Sequence, residues 1–351
     1  MRPAIPKISI VTPSFNQGAF LEECIDSVLS QNYPDLEYII MDGGSTDNSV
    51  EIIKKYEKYL AYWQSKSDGG QYDAINEGFR KATGDIMAWL NSDDKYHHHA
   101  FFKVAYIFDK HLSAEWLTGR ATSWDSKGNL SFIFYEDLPA FSREKYLRKD
   151  YRHPHIQQES TFWKRSLWEK AGSHVRPDLH YAGDLELWMR FFRFAPLCQV
   201  DTLLGGYRKH GDQKTELFMG RYVKEAEKLL DEEIELVKNG EFTGARPLPE
   251  TLYITYGEFK KYIDNMYEAT QHKIYKISDD SDFINDYLFH ECVKYKSHAN
   301  LEEVIKSLLV KLLRKFQIYN YYVRHEPQFS SAYHFFRKFF VSRDKGDLSG
   351  H

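Results

Sequence analysis

Four times within the first hundred residues a short apolar run ends in a cluster of small polar and acidic residues. Ile8 to Thr12 leads into Pro13-Ser14-Phe15-Asn16, and Glu37 to Met41 into Asp42-Gly43-Gly44-Ser45-Thr46-Asp47. Ala61 to Gln64 precedes Ser67-Asp68-Gly69-Gly70, and Asp85 to Leu90 runs into Asn91-Ser92-Asp93-Asp94. The runs have strand length, and the stretches between them repeat at helical spacing, Phe20, Leu21, Cys24, Val28 and Leu29 most clearly. This rhythm predicts an α/β fold with a doubly wound, mainly parallel sheet. Loops leaving the carboxyl ends of parallel strands converge on one crevice into which helix N-termini point, so the four clusters are expected to share a cleft.

The chain has 351 residues, more than one such core requires. All seven tryptophans fall at or before Trp188, whereas the sequence after about Arg221 is rich in Tyr, Phe, Lys and Glu in helical-looking runs. We therefore expect a first domain over residues 1–225 and a mostly helical region over 226–351, with Gly240 to Pro249 as the linker candidate because Gly and Pro interrupt regular elements.

Hydrophobic residues at 42% exclude a disordered chain, and a net charge of −4 gives no reason to expect a nucleic-acid partner. Cys24, Cys198 and Cys292 have neither disulfide-framework nor zinc-ribbon spacing, which fits a cytoplasmic location. No signal-peptide core precedes the first strand, and no apolar run reaches the roughly 18 residues that span a bilayer, so any membrane contact is expected to be peripheral.

Asn91-Ser92-Asp93-Asp94 sets two adjacent carboxylates at a strand end, oxygen ligands of the kind hard divalent cations prefer, and a cation there can neutralise charge on a diphosphate leaving group. A helix cap is the plainer reading of the same residues. In the third cluster the glycines permit close backbone approach, and Asp73 and Asn76, one helical turn apart, are expected to face one ligand together.

In order, Thr12-Pro13-Ser14-Phe15-Asn16, Asp42-Gly43-Gly44-Ser45-Thr46-Asp47, Asp68-Gly69-Gly70 and Ser92-Asp93-Asp94 resemble family 2 glycosyltransferases. The resemblance covers about residues 5 to 220 and implies a GT-A fold, with a donor half over about 1–100 and an acceptor half over about 101–225. It places Thr12, Pro13, Ser14 and Asn16 near the nucleotide, Asp42 and Gly43 on the nucleobase, and Asp68, Gly69, Asp73, Asn76 and Ser92 along the nucleotide sugar. Asp93 falls on the ribose or the metal shell, and Asp94 is the expected ligand of Mn²⁺ or Mg²⁺. Asn91 departs from the pattern, standing where the usual Asp-x-Asp motif has its first carboxylate.

Gln157 to Trp163 and Tyr181 to Arg190 resemble the acceptor half of the same family, which implies Asp184 as general base in an inverting transfer. A helix cap is the structural alternative for Asp184. Leu204 to Lys214 resembles the segment that closes over the donor diphosphate, implying Arg208 and Lys214 on phosphate and His210 in the metal shell. The run His97-His98-His99 is assigned no role.

The expected reaction moves a sugar from a nucleotide-diphosphate sugar, a UDP-sugar foremost, to a hydroxyl of a glycan or lipid-linked acceptor in polysaccharide, cell-surface glycan or glycolipid assembly. A nucleotidyltransferase shares a related architecture, but the loop after the first strand has one glycine, Gly18, and no basic residue to cradle a triphosphate. A non-catalytic sugar-nucleotide-binding protein is the third reading. Leu301 to Phe316 is amphipathic with interspersed Lys and Arg, and Tyr319 to Arg343 is aromatic and basic, so this region is expected either to pack as a helical subdomain or homo-oligomer interface or to touch the cytoplasmic face of an anionic membrane.

Overall fold

The computed structural model describes residues 5–133, 141–149, 155–211, 213–241, 251–252, 259 and 261–262. The expected linker beyond residue 241 and the stretches Leu301 to Phe316 and Tyr319 to Arg343 lie outside them.

Three βα repeats and a fourth strand form as the periodicity requires: β1 (Ile8–Ser14), α1 (Leu21–Leu29), β2 (Leu36–Asp42), α2 (Ser49–Tyr56), β3 (Tyr62–Ser65), α3 (Gln71–Lys81) and β4 (Ile86–Trp89). There follow β5 (Lys95–Tyr96), α4 (Ala100–Lys110), β6 (Trp116–Thr118), β7 (Thr122–Trp124), β8 (Leu130–Ile133) and α5 (Arg143–Leu147). After them come β9 (Thr161–Lys164), α6 (Arg165–Lys170), α7 (Gly183–Phe194), β10 (Cys198–Val200), β11 (Gly205–Arg208), α8 (Lys214–Lys238) and β12 (Thr251–Leu252).

The main sheet has the order β12-β10-β6-β9-β4-β1-β2-β3 and is parallel except at β9. A smaller sheet runs β5-β11-β7-β8. Because β9 runs against β4 and β6, its first residues lie at the same edge as their last ones. The acceptor-half segment beginning at Gln157 thus meets the carboxyl ends of the donor-half strands. Register does the rest on the other side, setting Ser14, Asp42 and Ser65 side by side on β1, β2 and β3.

Tryptophans fasten α7 to this sheet. Trp188 stacks between Trp89 at 5.9 Å and Trp116 at 5.5 Å, and Trp163 meets Trp89 edge-on at 5.6 Å, all four buried. Offset and edge-on contacts of this kind add to the area term that dominates such a core.

The boundary expected at residue 225 falls within a helix, α8. β12 extends the main sheet beside β10, and Tyr262 packs edge-on against Tyr106 at 5.3 Å. The chain divides into units Met1–Ser278 and Asp279–His351, and every described residue lies in the first. Among the described residues no helix is long and apolar enough to cross a membrane.

Candidate active site

The loops after β1 and β2 are laced together. Asn16, in the left-handed region at φ 52°, accepts the Thr46 N–H at 2.8 Å, its own N–H reaches Ser45 Oγ at 2.8 Å, and Gly18 N–H donates to Asp47 at 2.9 Å. Asp42 Oδ2 accepts from Gly44 N, Ser45 N and Ser65 Oγ, while Oδ1 takes Ser45 Oγ alone. Asp42 therefore holds its turn closed and keeps acceptor capacity on Oδ1. Gly43 follows at a place where a Cβ would lie 3.1 Å from Asp68, so a larger residue would crowd that carboxylate.

Two residues expected beside the nucleotide are set elsewhere. Thr12 is fully buried with its hydroxyl on that of Tyr38 at 3.1 Å, and Pro13 is buried next to it, because both are still inside β1. Ser14, the last residue of the strand, is 5% exposed and its hydroxyl has no partner among the described residues.

At the head of α3, Asp68 accepts the Gly70 N–H at 2.8 Å and Asp73 the Gly69 N–H at 3.0 Å. Gly70 has φ 107°, a conformation that only glycine adopts freely. Asn76 corrects the expectation of a shared ligand: its amide accepts from Val175 N at 2.8 Å and donates to Val175 O at 2.7 Å, tying α3 to the loop before α7.

Asn91 explains its own departure from the Asp-x-Asp pattern. Its amide oxygen accepts from Gln71 Nε2 at 2.7 Å, and its nitrogen donates to Asp94 Oδ2 at 3.0 Å. A carboxylate here would face Asp94 as a like charge. Asp94 is 3% exposed, and its other oxygen accepts the Arg208 N–H at 2.9 Å. Burial first, then the neighbouring charges of Asp93 and Glu159, push its carboxyl well above the ordinary range.

Of the two adjacent carboxylates, then, Asp94 is built into the β4–β11 junction and Asp93 is the one at the cleft. Ser92, between them and Asn91, is buried. Asp93 Oδ2 stands 3.0 Å from His210 Nε2, and His210 lies against the Phe20 ring at 4.5 Å with its Nδ1 buried and without a partner among the described residues. Asp93 and His210 thus form a carboxylate–imidazole pair at the cleft. Among the described residues no group of three His, Cys, Asp or Glu converges on a cation site, so the metal shell expected from Asp93, Asp94 and His210 is reduced to two side chains.

Arg208 is a second correction. It is fully buried, donating through Nε to Asp93 O at 2.8 Å and through Nη2 to Glu23 at 2.9 Å, so it braces the corner that holds Asp93 and His210 rather than facing a phosphate. Lys214 opens α8, and its side chain lies outside the described residues.

Asp184 sits in the first turn of α7, half-buried. The cap position belongs to Ala182 and carries no side-chain cap, so Asp184 is not the helix cap; its carboxylate takes the Leu185 N–H at 2.8 Å. Burial foremost, with a smaller push from Glu225, raises its pKa to about 6 against the pull of backbone N–H groups. Tyr72, from the head of α3, accepts the Gly183 N–H at 2.9 Å, and a Cβ at residue 183 would strike the Tyr72 ring at 2.6 Å. Glycine at 183 is what lets α3 and α7 meet. Between the head of α3, the segment that leads into α7 and the start of α8 opens a cavity of about 200 Å³ lined by Gly69, Gly70, Asp73, His180, Tyr181 and Phe218 among others.

Tyr72, Glu159 and Glu225 were not singled out in the sequence. Tyr72 had one local signal, its place between a Gly-Gly pair and Asp73 at a helix start. His97 packs inside with Nε2 2.9 Å from Thr122 Oγ1.

Residues 9–170 match the family model described as glycosyl transferase family 2. The chain carries a glycosyltransferase family 2 domain. An uncharacterized glycosyltransferase of Mycobacterium tuberculosis strain CDC 1551 is 42% identical over 92 residues, 26% of this chain and 35% of that one. An uncharacterized glycosyltransferase of Rickettsia typhi is 26% identical over 212 residues, 60% of this chain and 66% of that one. The alignment thus spans about a third of the length of the Mycobacterium relative. Among solved structures, residues 1–349 of TarS from S. aureus in complex with UDP-GlcNAc superpose with a TM-score of 0.54 at 15% identity, over 88% of this chain and 92% of that one. The chain accordingly has the mainly parallel α/β architecture of a GT-A fold.

Proposed function

We propose that the chain is an inverting glycosyltransferase that moves a sugar from a nucleotide-diphosphate sugar, a UDP-sugar foremost, to an acceptor hydroxyl. One observation carries the reading: Asp184, a half-buried carboxylate with a raised pKa, directly follows Gly183, whose N–H donates to Tyr72 in the wall of a cavity that the Gly69-Gly70 loop of the donor half also lines. A base poised near pH 6 accepts a hydroxyl proton while remaining ionised at neutral pH. Attack by that hydroxyl on the anomeric carbon from the side opposite the diphosphate inverts its configuration.

Asp42, Gly43, Ser14 and Asn16 are proposed to hold the nucleobase end of the donor and Asp68, Gly69 and Asp73 the sugar end, with Asp93 and His210 at the diphosphate. Bound between Asp93 and His210, Mn²⁺ or Mg²⁺ would neutralise charge on the diphosphate. The TarS neighbour was solved with UDP-GlcNAc, which makes UDP-GlcNAc the first donor to try. A glycan or lipid-linked acceptor, in polysaccharide, cell-surface glycan or glycolipid assembly, completes the reading.

The pH dependence follows from the sign of the Asp184 shift. Its pKa is raised from 3.8 to about 6, so lowering the pH through 6 protonates the base. The acid limb of the kcat profile is expected near pH 6, and an acid limb near pH 4 would contradict this assignment.

Replacing Asp93 or His210 by Ala is expected to weaken Mn²⁺-dependent UDP binding by about tenfold or more, read by calorimetric titration. Asp94→Asn should instead lower the thermal midpoint, because it weakens the bonds to Arg208 N and Asn91. UDP binding unchanged in Asp93→Ala and His210→Ala but lost in a folded Asp94→Asn would reverse the roles of the two aspartates.

A further inference from the structure

The chain segment His180-Tyr181-Ala182 enters α7 with three successive N–H groups that the helix itself cannot satisfy. Their partner comes from another element: Glu225, on α8, accepts His180 N at 3.0 Å through one oxygen and Tyr181 N and Ala182 N at 2.7 Å each through the other. A carboxylate 43 residues away from Ala182 in the chain thus ties down the segment that leads into α7, near the positive end of the helix dipole.

Resting on the reading of Asp184 as the base, we infer that Glu225 is the positioning residue of this active site: its three-point clamp fixes the backbone immediately before Asp184 and sets where the base stands against the donor cleft.

Three features support a role in placement. The clamped residues belong to the cavity wall, since His180 and Tyr181 line it beside Gly69 and Gly70. Tyr181 is further held by α8, with Phe218 packed on its ring at 5.6 Å and Arg221 donating to its hydroxyl at 3.3 Å. And α8 is firmly seated: Glu232 pairs with Arg176 at 2.7 Å, Asp231 with Lys149 at 2.6 Å, and the buried Glu233 with Arg143 at 2.6 Å and with Arg193. α8 begins four residues after His210 and carries Glu225 beyond a break at Phe218.

The groups facing Asp184 are Tyr72 from α3, Tyr146 from α5, Tyr222 and Glu225 from α8, and Glu159 from the turn before β9. Among them Glu225 carries a charge and does not itself line the cavity.

The test uses the full chain with Glu225→Ala, Glu225→Gln, and Glu227→Ala on the exposed side of the same helix as control. Hydrogen exchange by mass spectrometry should show faster exchange at residues 180–182 in Glu225→Ala and wild-type exchange in the control. With UDP-GlcNAc, or whichever nucleotide sugar a binding panel selects, kcat of Glu225→Ala should fall about 10²-fold, the penalty typical of a small misplacement, with KM for the donor unchanged. Glu225→Gln keeps one acceptor oxygen and loses the charge. It should recover part of kcat and move the acid limb to lower pH, since removing a negative neighbour favours ionised Asp184.

Wild-type exchange at 180–182 in Glu225→Ala would refute the clamp. Faster exchange with wild-type kcat and an unmoved acid limb would reduce it to a stabilising contact and overturn the positioning role. Asp184→Asn run in parallel separates the two readings: if it is inactive while Glu225→Ala is fully active, the base stands and the clamp falls, and if it is active the base reading itself fails.

Discussion

Replacing Asp184 by Asn is expected to lower kcat by about 10³-fold while nucleotide-sugar binding stays at the wild-type level. The substitution keeps the size of the side chain and, through its amide oxygen, the bond from Leu185 N–H, so the first turn of α7 is left as it was. What it removes is the proton acceptor, and the acid limb near pH 6 should go with it. Donor affinity is untouched because the Asp93–His210 corner and the β1–β2 loops lie on other elements. Single-turnover assays beside a calorimetric titration of UDP would check both halves, and a variant that lost UDP binding as well would mean that Asp184 holds the donor.

The second large effect concerns stability. Trp163→Ala should destabilise the fold by about 3–5 kcal/mol, as aromatic deletions in tight cores do. Trp163 is fully buried on β9, in edge-on contact with Trp89 and Trp188 and stacked at 6.3 Å on Trp168, so few of its neighbours can relax into the void. Because the same cluster seats α7, residual activity should fall faster with temperature than in the wild type. Chemical denaturation would measure the loss, and a change below about 1 kcal/mol would show that the cluster is not the keystone of the sheet.

The alternation that opens the chain made β1 to β4 and their helices readable, since short apolar runs and helical spacing are local properties. Equally legible was the shared cleft, because strand polarity alone sends Asn16, Asp42, Asp68 and Asp93 to one edge. The antiparallel insertion of β9 was not, as nothing in Thr161-Phe162-Trp163-Lys164 states its direction.

The adjacent carboxylates show the limit at single-residue scale. After a strand, successive side chains leave on opposite sides, so which of Asp93 and Asp94 turns inward depends on what receives it. Here the receiver is the backbone of Arg208, on β11, 114 residues away. Arg208 is misread for the same reason, since a buried arginine braced by Glu23 has the sequence appearance of a phosphate ligand. Family resemblance pointed to a neighbourhood in each case, and the fold placed the side chains within it. Glu225 had no such help: its role exists only once α8 docks beside the start of α7.

The reading as a whole meets its most direct test in the anomeric configuration of the product. With full-length protein, Mn²⁺ and a nucleotide sugar carrying an α-linked sugar, nucleoside diphosphate release should accompany formation of a β-glycoside, seen in the coupling constant of the anomeric proton, and both should vanish in Asp184→Asn. An α-glycoside would contradict inversion, and diphosphate release that persists unchanged in Asp184→Asn would contradict the base.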